Sequence, residues 1–243
     1  VPGERAFLLS HDTDPFNKWE AGRALAKEVL AEMALKGTPV RSDWLDAVAA
    51  VTFDATLDPA FRALCLRLPG EDDLAQTIHA MGRIPDPAKI HAARREMAGA
   101  LSIRLGEGLH RLYKDLDDNA PFSPSADQAG RRALKIAALQ LLTRRDGGKL
   151  AASAFARARS MTEEIGALAA LLDVHQGEKE LVAFAARWGR DANVMDKWYA
   201  LQIATAEPGE AAGLTARLIE TPGFDWKNPN RFRTVIGALA ANH

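Results

Sequence analysis

The chain has 243 residues, 47% hydrophobic and 26% charged, which is enough apolar material for a sizeable core in one large or two ordinary domains. Its 31 basic and 32 acidic residues leave a net charge of −1, arguing against a nucleic-acid partner or an acidic membrane surface as the main task. The lone cysteine, Cys65, excludes an intramolecular disulfide and suits a reducing compartment, and no run of eighteen apolar residues is present to span a bilayer.

Alanine is abundant and β-branched runs are almost absent, so the chain favours helix throughout. Glu4 to His11 reads as a short helix. Asp14 is an N-cap with Pro15 at the first helical position, and the helix that follows runs to Lys36 and stops at Gly37. Phe16, Trp19, Ala24, Leu30 and Met33 give it an apolar surface. Ser42 caps a helix holding Trp44, Leu45 and Val48. Asp58-Pro59 opens another towards Leu68, Pro69-Gly70 breaks it, and Glu71 to Met81 follows with Leu74, Ile78 and Met81 on one side. Asp86-Pro87 opens the longest helix, reaching about Leu116.

The clearest break is Asp117 to Asp127, rich in Asp, Asn and Ser with Pro121 and Pro124, read as a turn between helical layers 1–116 and 125–243 of one domain, with a domain boundary as the alternative. A helix starting at Ser125 or Asp127 then runs to about Arg145, and Lys149 to Arg159 forms a short one. Ser160 and Glu163 have capping-box spacing ahead of a helix ending near Asp173. Gly177 to Gly189 follows, with Leu181, Phe184 and Trp188. Asn193 caps a helix to Thr205 in which Val194, Trp198, Leu201 and Thr205 share one face, Met195, Tyr199 and Gln202 a second, and Ile203 lies on a third. A helix apolar over most of its circumference is sandwiched between others. Pro208 to Thr221 is the next helix, and Asn228-Pro229 starts the last. About a dozen helices with short connections, and no fixed repeat period, predict an all-α fold of stacked antiparallel helix pairs, an irregular α-solenoid of armadillo/HEAT type.

Catalytic patterns are absent. The histidines are His11, His79, His91, His110, His175 and His243; no two are four apart and none precedes a glutamate, so the His-Glu-x-x-His zinc pattern is missing. Asp115, Asp117 and Asn119 imitate the start of a calcium loop, but Ala120 and Ala126 stand where it needs glycine and glutamate. Arg94-Arg95, Arg131-Arg132 and Arg144-Arg145 are scattered and balanced by acids, as on solvated helix faces. Cys65, between Leu64 and Leu66, reads as a small buried hydrophobe. Ser10-His11-Asp12 holds triad residue types but not a triad's geometry. The five tryptophans read as packing residues. Arg231 and Arg233, two apart on one helix, point in nearly opposite directions. Phe232, Val235, Ile236 and Leu239 form an apolar stripe, and Arg233 shares a small-residue face with Gly237 and Ala241. On the residues alone, Arg233 is either a surface or ion-paired arginine or one that faces a groove.

Val194-Met-Asp-Lys-Trp-Tyr-Ala-Leu-Gln202 resembles the signature of the C-terminal helical domain of bacterial aminopeptidase N, a zinc aminopeptidase of the gluzincin class. Asp14-Pro-Phe-Asn-Lys-Trp-Glu-Ala-Gly-Arg23, Asp86 to Arg94, Ser160 to Leu171 and Asn228 to Leu239 resemble further segments of that domain, in the same order. The resemblance implies a superhelix, and a chain 1–243 that is one fragment of a larger enzyme whose catalytic domain carries the zinc. It implies the catalytic domain of the same polypeptide and peptide substrates as partners, and a cytoplasmic setting without nucleic acid or membrane. It also implies that Arg233 lies towards an internal substrate chamber. The chain itself is then expected to be inactive, without catalytic or metal-binding residues. The competing expectation is a free-standing α-solenoid scaffold that binds a protein on its concave face.

Overall fold

A computed structural model describes residues 3–117, 120–207 and 209–242, and among these the chain is all-α with no strand. The helices are α1 (Glu4–His11), α2 (Pro15–Lys36), α3 (Ser42–Phe53), α4 (Pro59–Cys65), α5 (Glu71–Ala80), α6 (Pro87–Asp115), α7 (Ala126–Asp146), α8 (Lys149–Arg157), α9 (Met161–Leu172), α10 (Glu178–Trp188), α11 (Ala192–Thr205), α12 (Ala211–Ile219) and α13 (Pro229–Ala240). The chain divides into two compact units, Val1–Arg145 and Asp146–His243. The break in composition at 117–127 lies inside the first.

Local chemistry sets most helix starts. The side chains of Asp14, Asp58, Asp86 and Asn228 each accept from backbone N–H groups of the first turn, with proline in that turn, where a missing N–H costs nothing. Gly37 ends α2 in the left-handed conformation that glycine adopts without strain. Ser160 Oγ accepts from Glu163 N, and the Glu163 carboxylate accepts from Arg159 N, so the capping-box spacing is used. Two starts differ from the expected ones. Asp191 caps α11, taking Asn193 N and Val194 N at 3.0 and 3.1 Å, so Asn193 is inside the helix. Ser42 is likewise the first helical residue of α3 rather than its cap, and the neighbouring Asp43 carboxylate accepts from Trp44 N. The fourth helix stops at Cys65, short of Leu68, and the twelfth begins at Ala211; Pro208, expected to start it, lies outside the described residues.

In the first unit α2 is central, packing on α1, α3, α4, α5 and α6 through Leu25, Val29, Leu30 and Met33. Facing residues include Trp44 and Val48 of α3 and Met97, Leu101 and Leu105 of α6, all buried. Phe16 and Met81, expected on apolar faces, stand in solvent because each sits at a helix end. Two buried cations close helix ends. Lys18 Nζ donates to Leu9 O and Ser10 O at the end of α1, and Arg62 donates twice to Thr52 O at the end of α3, at 2.9 and 2.6 Å. Each places positive charge on orphan carbonyls at the negative end of a helix. Burial lowers the Arg62 pKa from its ordinary value.

The long helix α6 is not continuous. Gly106 adopts φ 45° and ψ −130°, a region open to glycine alone, and breaks it into two helical segments. On the first segment, Ser102 Oγ donates to Leu141 O of α7 at 2.6 Å. At Gly130 α7 passes so close to α4 that an added Cβ would lie 3.1 Å from Ala60 N. The loop before α7 is tied to it: Arg132 donates to Ser123 O, and Gln128 to Pro121 O.

In the second unit α11 is the central helix, touching α9, α10, α12 and α13. Its buried residues, Val194, Asp196, Tyr199, Gln202 and Ile203, lie on more than one face, as a sandwiched helix requires. The end of the chain is anchored to it, because Asn242 Nδ2 donates to Ile203 O and Ala206 O at 2.7 and 3.0 Å.

Candidate functional site

The sequence's one candidate, Arg233, sits on α13. The Asn228 cap and Pro229 fix where that helix starts, and hence which way each side chain turns. Arg231 turns inward and is 5% exposed. Its Nε donates to the Asp196 carboxylate of α11, its Nη2 to Ala192 O at 3.2 Å, and its guanidinium lies 4.6 Å from the centre of the Tyr199 ring. The Tyr199 hydroxyl lies 3.1 Å from Thr221 Oγ1. Arg233 turns the other way and is exposed. One turn on, Gly237 has no atom within 4 Å of where a Cβ would stand. Arg233 and Gly237 therefore lie on an open, solvent-facing strip of α13.

The apolar stripe expected beside them is divided. Val235 is fully buried and Leu239 partly so, while Phe232 and Ile236 are 44% and 38% exposed. The reason is register: Arg231 and Val235, four apart, occupy the inward line, which leaves Phe232 and Ile236 one residue round the helix. An aromatic series joins core to surface, from Tyr199 to Phe224 (5.6 Å between ring centres), Trp226 (4.9 Å) and Phe232 (5.9 Å). Trp226 is 51% exposed, so it packs between Phe224 and Phe232 at the surface rather than in the core.

The other sequence candidates fall into structural roles. Ser10 Oγ donates to Ala6 O, and the His11 ring packs at a tilt against Phe7. His91 Nδ1 meets Glu71 at 2.9 Å, and His175 Nε2 meets Glu207 at 3.1 Å. His243 and Asn119 lie outside the described residues. Among the described residues, no three His, Cys, Asp or Glu side chains converge to hold a metal ion. Arg94 donates to Pro69 O and Glu71, and Arg131 to Asp115 O, so these arginines fasten loops and helix ends. Burial pushes the Cys65 thiol up to about 11, which keeps it protonated and unreactive near neutrality. Glu164 is buried at the start of α9, accepts from Trp188 Nε1 at 2.9 Å, and has Arg187 Nη1 3.1 Å from its other oxygen. The inward role of Arg231 was not legible in sequence, since its partner Asp196 is 35 residues away.

Comparison with known proteins places this architecture. A family model described as a domain of unknown function (DUF3458_C) with ARM repeats matches residues 2–243. Aminopeptidase N of Caulobacter vibrioides is 36% identical over 247 residues, covering 98% of this chain and 28% of the relative. Aminopeptidase N of Escherichia coli is 27% identical with the same coverage. The crystal structure of Legionella pneumophila aminopeptidase A in complex with aspartic acid superposes with a TM-score of 0.85 at 21% identity, over 98% of this chain and 29% of that one. The chain thus spans a little over a quarter of the relatives it matches, corresponding to their C-terminal portion. The chain belongs to the DUF3458_C family of ARM-repeat domains found in aminopeptidase N.

Proposed function

We propose that residues 1–243 are one non-catalytic helical domain of a zinc aminopeptidase that removes N-terminal residues from peptides, and that the domain walls the substrate chamber. The observation that carries this is end-to-end similarity: 98% of the chain aligns with a protein named aminopeptidase N at 36% identity, while filling only 28% of it. The histidines of this chain are dispersed in sequence, and among the described residues no three His, Cys, Asp or Glu side chains converge, so they do not suit the zinc of such an enzyme. The metal belongs to the catalytic domain of the same polypeptide, and none of the chemistry runs through the residues described here.

Within that frame Arg233 is the residue that meets peptide. Its guanidinium carries a permanent charge and five donors in a planar fork, suited to a carboxylate or to peptide carbonyls. The bare Gly237 one turn away leaves space for an extended chain to pass. The setting we propose is cytoplasmic, in keeping with a single half-buried thiol; among the described residues no helix is long and apolar enough to cross a membrane. Elemental analysis and activity assays of this chain alone test the non-catalytic reading. It should hold no stoichiometric zinc and hydrolyse no aminoacyl amide; one tightly bound equivalent, or metal-dependent turnover, would overturn it.

A further inference from the structure

The first unit contains a cavity of about 310 Å³, open on one side and far from α13 in the chain, that no role described above uses. Its size falls at the lower end of the range of small-molecule sites, roughly 300–1,000 Å³. The walls come from α1 to α5 and the segment linking α4 to α5. Trp19, Trp44, Leu64 and Leu68 supply apolar surface, and Leu64 remains 39% exposed although it lines a concave face. The ring of Phe16, itself exposed, lies 6.1 Å from that of Trp19 and extends the aromatic surface outward. Such walls favour an aromatic or branched aliphatic group over a sugar or a bare ion.

The polar side of the cavity has a definite sign. Asp73 is its one acidic lining residue, and both carboxylate oxygens are already engaged, by Arg23 at 2.5 Å and Lys27 at 2.6 Å. Arg67 also lines the cavity, is exposed, and pairs with none of the described residues. Three cations therefore stand against one carboxylate. The two acidic residues before Asp73 in the first turn of α5, Glu71 and Asp72, do not line the cavity, and Glu71 is held by Arg94 and His91. Gly70 lines the cavity too. It is the residue before the ten-residue α5 and has no side chain to cap that helix, so its backbone reaches the cavity wall directly. A hollow lined in equal part by apolar and by polar surface, with one unpaired guanidinium among its polar residues, matches a ligand that is apolar at one end and anionic at the other.

We propose that this cavity is a binding site for small carboxylates bearing an aromatic or branched aliphatic group, with Arg67 pairing the carboxylate and Trp19 and Trp44 receiving the apolar group. The site is independent of the peptidase reading and of Arg233.

The test is NMR titration of the full chain, ¹⁵N-labelled, with N-acetylphenylalanine, and in parallel with its amide, which keeps the ring and loses the charge. The carboxylate should give saturable shifts at the Trp19 and Trp44 indole N–H and at the Gly70 amide, leaving Trp188, Trp198 and Trp226 still. The amide should bind at least about fivefold more weakly. Arg67→Ala should weaken the carboxylate roughly tenfold, the scale of one charge-assisted hydrogen bond, and leave the amide unchanged, with Arg67→Lys recovering part of the loss. Arg67 is exposed, so its removal leaves the packing intact, and an unchanged Tm checks this. No saturable shift at these positions, equal binding of acid and amide, or an Arg67→Ala variant that binds like the parent would each overturn the proposal.

Discussion

Arg231 and Asp196, on α13 and α11, form an ion pair inside the second unit, 35 residues apart in sequence. Each is mostly removed from water, and the Tyr199 ring covers the guanidinium. A buried pair of this kind gives specificity more than net stability, but removing one member strands the other's charge in a low-dielectric surrounding. Asp196→Ala should therefore destabilise the fold by about 3–5 kcal/mol. The double variant Asp196→Leu with Arg231→Met should recover most of that loss, because it leaves no charge unpaired. Urea unfolding of the single and double variants measures the difference.

The break in α6 makes a second prediction. Gly106 holds a backbone conformation that a side chain resists, whereas Gly99, on the same helix, is helical with open space around it. Gly106→Ala should cost about 1–3 kcal/mol through strain. Gly99→Ala should stabilise by about 0.5–1 kcal/mol, because alanine loses less conformational freedom on entering a helix. Equal effects at the two positions would mean that α6 runs straight through.

Cys65 predicts a pH dependence. Burial raises its thiol from 9.0 to about 11 in the folded chain. Between these values the unfolded chain has lost the proton that the folded chain retains, so stability falls as pH rises through that window and is unaffected by this group below it. At pH 8, alkylation of the folded chain should be about a hundredfold slower than that of the unfolded chain, from the difference in thiolate fraction. Cys65→Ala should remove its share of the loss of stability above pH 9. Alkylation at the unfolded rate in native conditions would show that the thiol is not held this way.

What the sequence revealed and what it hid divide along the line between local and distant interactions. The starts at Asp14, Asp58, Asp86 and Asn228 were legible because cap and proline act on N–H groups two or three residues away. Asp191 was passed over for Asn193 because both are capping types and only the first helical turn distinguishes them. The Gly106 break carried a signal in the paired glycines of Leu105-Gly-Glu-Gly108, outweighed by the strong helix formers on both sides. That Arg231 and Arg233 diverge followed from helical geometry. Which of them is buried did not, since Asp196 and Tyr199 reach Arg231 from another helix. The same holds for the exposure of Trp226 and for the cavity of the first unit, whose walls combine residues from Leu9 to Asp73.

Arg233 tests the account most directly. If the complete polypeptide is the aminopeptidase proposed above, Arg233→Ala should raise its KM for tri- and tetrapeptides by about ten- to a hundredfold, the equivalent of one charge-assisted hydrogen bond of roughly 1.5–3 kcal/mol. The kcat for those peptides should stay near that of the parent, the pattern of lost uniform binding. A single aminoacyl amide, too short to reach this wall, should be turned over with unchanged kcat and KM, and the exposed position of Arg233 should leave Tm unchanged. Equal losses on long and short substrates, a loss confined to kcat, or a fall in Tm large enough to explain the change would contradict a substrate-facing role for this helix.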